Sequence, residues 1–342
     1  MLGKSILLLI FILCGFYGDL FWKHPTSFQF LEMGPLETEV FHEIRLPRVL
    51  VSFLAGATLT LAGLLVQGST RNPLASPSVL GINATASFFV CVFLVFEKMS
   101  SGLSLFSASF LGSVLGVIVL LVMGQLVDAK KFPGRMILVG VCLGMMMGSL
   151  TNLVVILDEN STQSLVYWLL GGVDGKGWQE FFVLLIPLIF GLLGSFFLVK
   201  PIEALKLGDD LSHSLGHRPQ KTRLWSLFLA IFLVSSVVST CGPLAFVGLI
   251  VPHLSRKIFG ENLKVLFPMG TLFGGAFLIY ADWFSRYIQF PYETPVGVLS
   301  GLLGGGYFLY LSNNSIQNSS WLRWFNWQRL FKRHPRIFRF FA

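Results

Sequence analysis

Apolar runs, each close to the length that crosses a bilayer, alternate with short polar segments along nearly all of this chain. A helix rises 1.5 Å per residue, so about 20 apolar residues cross about 30 Å of hydrocarbon. Ten runs approach that length: residues 6–20, 49–66, 79–96, 105–127, 136–157, 181–199, 224–240, 244–259, 266–288 and 296–311. The pattern predicts an all-α polytopic membrane protein of about ten transmembrane helices. The eighth run is short and carries Pro252, yet residues 224–259 are too long for one span. A turn at Gly242-Pro243 is the economical division.

Composition agrees. With 54% hydrophobic residues, 12% charged residues and a mean hydropathy of +0.73, the chain has too little polar surface to cover a soluble globule. The first run follows Lys4 but continues into Tyr17-Gly-Asp-Leu-Phe-Trp22 without a small-residue cleavage pattern, so it reads as a retained helix. Bulky Leu13 before Cys14 is a poor lipoprotein signal. Cys14, Cys91, Cys142 and Cys241 are isolated in apolar runs without C-x-x-C spacing, and are expected to act as small buried hydrophobes.

Lys and Arg divide unequally between alternate loops. If the N-terminus is cytoplasmic, nineteen lie on the inner side and six, Lys23, Arg45, Arg48, Lys98, Lys176 and Arg286, on the outer side. That bias places both termini in the cytoplasm. The net charge of +8 is then accounted for by insertion and anionic lipid, with no nucleic-acid partner.

No catalytic constellation is visible. The segment Gly171-Gly-Val-Asp-Gly-Lys-Gly177 has its leading glycine out of register for a phosphate loop and a glycine where Ser or Thr should bind magnesium. It reads as an external turn. His253 alone among the histidines lies in a candidate helix, where packing is the ordinary role. The chain is therefore expected to be no enzyme and to hold no cofactor or metal, and any nucleotide chemistry would have to come from another subunit.

Several separated motifs remain. They are Arg45-Leu-Pro-Arg48, Gly56-Ala-Thr-Leu-Thr-Leu-Ala-Gly63 with Gln67, Arg71-Asn-Pro-Leu-Ala-Ser-Pro-Ser-Val-Leu-Gly81, and Leu205-Lys-Leu-Gly208 running into Leu215-Gly216. Further along stand Gly242-Pro-Leu-Ala-Phe-Val-Gly-Leu-Ile-Val-Pro-His-Leu-Ser-Arg256, Ala281-Asp282 with Arg286, and Glu293-Thr-Pro-Val-Gly297. Over residues 45–311 these resemble the FecCD-type permeases of iron-chelate (siderophore or haem) and cobalamin ABC importers. At Gly304-Gly-Gly-Tyr-Phe308 the family usually has Gly-Ala-Pro-Phe-Phe, and the departure is expected to loosen the tenth helix.

The resemblance implies a bacterial cytoplasmic-membrane permease, homodimeric around a central path. Its partners would be an ABC ATPase, an extracytoplasmic substrate-binding protein, a second copy of itself and membrane lipid. Arg45, Arg48 and Arg286 match arginines that receive acidic residues of the binding protein. Arg286 is equally placed to pair with Asp282 at i,i+4, and Arg45 and Arg48 to snorkel at the interface. The segment 200–223 matches the ATPase-coupling element. In it Leu205, Leu207 and Leu215 alternate with polar residues including Asp209, and Gly208 and Gly216 are expected to punctuate two short helices. A surface helix lying on lipid is the plainer alternative, disfavoured by the acidic Asp209-Asp210 pair.

Gln67, Asn72, Pro73, Asn83 and Thr85 are candidates for the path or its gate, with interhelical hydrogen bonding an equal alternative. Glycines four apart, as in Gly112 and Gly116 or Gly270 and Gly274, predict close helix packing. The organisation expected is a permease domain over 1–311 and a basic, aromatic cytoplasmic tail over 312–342, suited to the inner membrane surface. An ion-coupled secondary transporter would want ionisable groups near the midplane, whereas Asp282 lies near a span end beside Arg286. A noncatalytic scaffold would leave the separated motifs unexplained.

Overall fold

A computed structural model describes residues 2–20, 35–96, 102–126, 133–157, 162–288 and 292–318. All regular structure there is helical: α1 (Leu2–Leu20), α2 (Pro35–Val40), a π-helical turn (Phe41–Arg45), α3 (Leu46–Thr70), α4 (Ile82–Phe96), α5 (Gly102–Leu126), α6 (Pro133–Leu157), α7 (Thr162–Leu169), α8 (Trp178–Lys206), α9 (Asp209–Ser214), α10 (Pro219–Cys241), α11 (Val247–Phe259), α12 (Leu263–Ile288) and α13 (Val296–Asn318). Seven are long and apolar enough to cross a membrane, and α4 and the first part of α13 are shorter apolar helices. Phe196, Phe197, Ile156 and Leu7 stand more than 70% exposed, a burden of bare apolar surface that water would not tolerate and a bilayer would solvate.

Helix α3 occupies the centre. It packs against α8, α10, α11 and α12, while α4, α5 and α6 form a second group joined to it through α10. Small residues make the centre possible. A Cβ on Gly63 would meet the Gly248 carbonyl oxygen at 2.0 Å, and one on Gly56 would meet the Gly274 oxygen at 2.2 Å. Pro47 lacks the N–H that would bond back to Glu43, and the helix widens to a π turn just before it.

The break at Gly242-Pro243 occurs as expected: α10 ends at Cys241 and α11 begins at Val247. Gly242 has φ +70°, and its bare Cα admits the Trp168 carbonyl, which a Cβ would meet at 2.3 Å. Phe246 takes a left-handed φ of +62°, unusual for a bulky residue.

Two expectations change. The polar segment 200–223 is shorter than its sequence suggests, because α8 runs through Pro201 to Lys206 and α10 starts at Pro219; one short helix, α9, lies between Gly208 (φ +110°) and Gly216 (φ +82°), in place of two. Glycines 304–306 do not interrupt α13, because Gly304 is the point at which the helix meets Phe246, 2.2 Å from the Cβ it lacks. Helix α13 runs on to Asn318, and the rest of the 312–342 tail lies outside the described residues.

Candidate functional site

Charged side chains gather at the two ends of the bundle. At one end the start of α3 brings Arg48 against α12. Its Nε and Nη2 donate to Asp282 Oδ2 and Oδ1 at 3.0 and 2.9 Å, and its Nη1 donates to both Glu293 oxygens at 3.0 and 2.9 Å. Arg286, one turn beyond Asp282, pairs with Asp19 of α1 and lies 3.4 Å from Asp282 Oδ2. Asp19 and Asp282 are fully enclosed. Arg45 is held apart from this cluster, its Nη1 donating to the Leu20 carbonyl at 3.2 Å. Of the three arginines singled out in the sequence, two are thus bound by carboxylates of this chain and one by a backbone oxygen.

Helix α7 and the turn after it stand at the same end. The Gly297 N–H donates to the Gly171 carbonyl at 2.8 Å, and the Gly172 N–H to the Cys241 carbonyl at 2.9 Å, tying the start of α13 and the end of α10 to the segment read as an external turn. A groove of about 580 Å³ runs along α7, lined by Gln163, Ser164, Val166, Tyr167 and Leu170. Burial, then the neighbouring Asp174 carboxylate, pushes the Tyr167 phenol above its ordinary range.

At the opposite end Asp209 anchors α9. Its oxygens accept from Arg223 Nη2 and Nη1 at 2.8 and 3.0 Å and from Arg71 Nη2 at 3.0 Å, linking α9 to the start of α10 and the end of α3. The hydrogen bond from Arg223 leads the effects that hold the Asp209 carboxyl below the usual carboxylate range. Anchored this way, α9 presents Leu211 to the outside, flanked by Leu207 and Leu215, whereas Leu205 turns fully inward. Lys4 and Lys206, which donate to the Ile258 and Glu261 carbonyls, share this end with the last turn of α11.

The candidate path residues have structural partners. Gln67 accepts from Arg256 and donates to the Leu249 carbonyl at 3.2 Å, locking α3 to α11. Asn83 donates to Ser78 Oγ at 3.0 Å and to the Leu244 carbonyl at 3.2 Å. Thr85 bonds to its own helix and fills the space left by Gly116. Asn72 Oδ1 accepts from the Leu74 N–H at 2.9 Å, an Asx turn that carries exposed Pro73 close to the α9 anchor.

Sequence reading missed Asp19 and Glu293 as partners of the arginines. The signal was available: an ionisable residue inside an apolar run needs an internal partner, and Arg48, Asp282 and Arg286 all lie at the same end of their spans. The cysteines split, Cys91 and Cys241 being buried and Cys14 and Cys142 exposed on apolar helices. Among the described residues no group of three or more His, Cys, Asp and Glu could hold a metal.

Long apolar helices, tied together by charge clusters at the two ends of the bundle, define a polytopic membrane protein. The chain belongs to the FecCD transport family, whose model matches residues 6–314. It is 35% identical over 286 residues to the Fe(3+)-citrate import system permease protein YfmD of Bacillus subtilis (strain 168), covering 84% of this chain and 85% of that one. Over 273 residues it is 36% identical to the Fe(3+) dicitrate transport system permease protein FecD of Escherichia coli (strain K12), covering 80% and 84%. A solved structure described as an inward-facing metal-chelate-type ABC transporter superposes with a TM-score of 0.76 at 26% identity, covering 92% of this chain and 98% of that one. The protein is accordingly a multi-pass permease of the cytoplasmic membrane and the noncatalytic transport subunit of an ABC importer.

Proposed function

We propose that this permease imports a ferric chelate, a siderophore in the first instance, with ATP and magnesium bound by a separate ATPase and the cargo delivered by an extracytoplasmic binding protein. Ten spans with both termini in the cytoplasm, and a homodimer around a central path, complete the reading. The relatives named for ferric citrate import support the cargo class, and the lysine and arginine asymmetry supports the orientation.

The observation that carries the reading is α9. An exposed leucine surface held in place by a three-way salt bridge suits a protein groove better than open water, and this is where the ATPase would bind, with Leu207, Gly208, Asp209, Leu215 and Gly216 forming or shaping the contact and Leu205 beneath it. At the other end Arg45, the outer edge of Arg48 and, beneath them, Arg286 would meet acidic residues of the binding protein. The groove along α7 would receive the cargo. Gln67, Asn72, Pro73, Asn83 and Thr85 would act on the path by holding its helices in register.

Reconstitution tests this. Proteoliposomes containing the permease and its ATPase should take up radiolabelled ferric citrate or a ferric siderophore only with binding protein outside and ATP inside. Uptake by the permease alone on a proton or sodium gradient would overturn it.

A further inference from the structure

Arg48 meets its two carboxylates on different edges and in different surroundings. Nε and Nη2 face Asp282, which is fully enclosed, whereas Nη1 faces Glu293, whose side chain is 40% exposed. A guanidinium has three nitrogens, and these contacts engage all of them, Nε and Nη2 with Asp282 and Nη1 with both oxygens of Glu293. An incoming carboxylate therefore finds no nitrogen of Arg48 without a carboxylate already on it, and takes a two-oxygen contact there only if one leaves. Asp282 cannot leave without stranding a buried charge. Glu293 can, because water would solvate it. The cluster as a whole sets two arginines against the three carboxylates of Asp19, Asp282 and Glu293, so it presents no excess positive charge to an acidic surface.

On the docking reading given above, we propose that Glu293 is a built-in competitor for the external partner. It occupies the outer edge of Arg48 until a carboxylate of the binding protein exchanges with it, while Asp282 keeps the inner edge throughout. The partner surface this fits is carboxylate-bearing. Exchange also releases a segment with reach. Glu293 lies three residues before α13, whose Gly297 N–H is hooked to the turn after α7, so docking loosens the tie between α3 and the mouth of the α7 groove.

The affinity of the binding protein that supports uptake in the reconstitution above tests the exchange, measured for wild type, Glu293→Gln and Glu43→Gln in nanodiscs at low and physiological salt. Glu43 is an exposed acid two residues before Arg45, and its replacement removes the same charge without vacating Arg48. Glu293→Gln should bind about two- to fivefold more tightly at low salt, the scale of one exposed ion pair, and Glu43→Gln should change less. If Glu293→Gln is poorly recovered, Glu293→Ala against Glu43→Ala gives the same comparison. Equal or weaker binding by the Glu293 variant, or equal tightening by the Glu43 variant, would overturn the proposal. Should Arg45→Glu weaken binding while the Glu293 variant has no effect, docking stands and the competitor alone is removed; no binding to wild type removes both.

Discussion

Asp209 grips the Arg223 guanidinium with both carboxylate oxygens, at 2.8 and 3.0 Å, across the joint between α9 and α10. Both side chains are about two-fifths exposed, as is Arg71 on the other side of the joint. Bonds of this kind contribute about 0–1 kcal/mol each, so their role is to fix the angle of α9 more than to stabilise the bundle. Asp209→Lys, which sets three cations together, should leave insertion and melting temperature nearly unchanged but reduce ATPase co-purification or uncouple hydrolysis from transport. Wild-type recovery and coupling would count against the anchor.

The same carboxylate has a defined pH dependence. Its folded pKa is depressed, so the clamp is fully present above the unfolded value of about 3.9 and is lost only as pH falls through the folded one. ATPase affinity should therefore show no Asp209 titration between pH 5 and 8. Asp209→Asn should lower the affinity across that range without altering the shape of the profile.

Leu205 and Leu207 are two residues apart in one motif and should respond in opposite ways. Leu205 is fully buried, so Leu205→Ala should cost about 2–5 kcal/mol, read as a lower melting temperature of the permease alone. Leu207 is 59% exposed, so Leu207→Ser, alone or with Leu215→Ser, should leave that temperature within about a degree or two while weakening ATPase recovery.

The central packing was legible in outline, since Gly112, Gly116, Gly270 and Gly274 each stand at a helix crossing, as four-residue spacing implies. What the sequence hid was direction. Gly148 and Gly301 share that spacing yet have no neighbour within 4 Å, because periodicity marks a face without saying which helix it meets. The amphipathic alternation of 205–215 likewise did not reveal that Leu205 belongs to the last turns of α8, and α7 passed unnoticed because eight residues between turns are too few for a periodic signal. The places of the seven long apolar helices were readable from hydropathy. The salt-bridge partners were not, since Arg48 and Asp282 are 234 residues apart and only the fold brings them together.

Gly63→Ala follows from the crossing of α3 and α11. A Cβ there would sit 2.0 Å from a carbonyl oxygen on α11, and backbone cannot swing aside as a side chain can. The variant should lose at least about 1–3 kcal/mol, or fail to accumulate, while Gly305→Ala, with nothing within 4 Å, should be neutral or slightly stabilised. Thermal melting of the two purified variants decides it.

The Arg48–Asp282 pair calls for a double-mutant cycle. Removing one partner of a buried ion pair costs about 3–5 kcal/mol, because the other charge is left without compensation, whereas replacing both with apolar groups of similar size is often neutral. Asp282 is fully enclosed and Arg48 nearly so, which places the pair in that regime and sets it apart from the exposed clamp at Asp209. Arg48→Met alone should destabilise strongly, since Asp282 would keep only the more distant Arg286. Asp282→Leu alone should be milder, because Glu293 still holds the outer edge of Arg48. The double variant should recover most of the loss in melting temperature. It should nonetheless bind the external partner more weakly than wild type, because the outer edge of Arg48, one of the three arginines proposed to meet that partner, is gone. If the double variant melts as low as the sum of the singles, the two residues act independently and the pair does not hold α3 to α12.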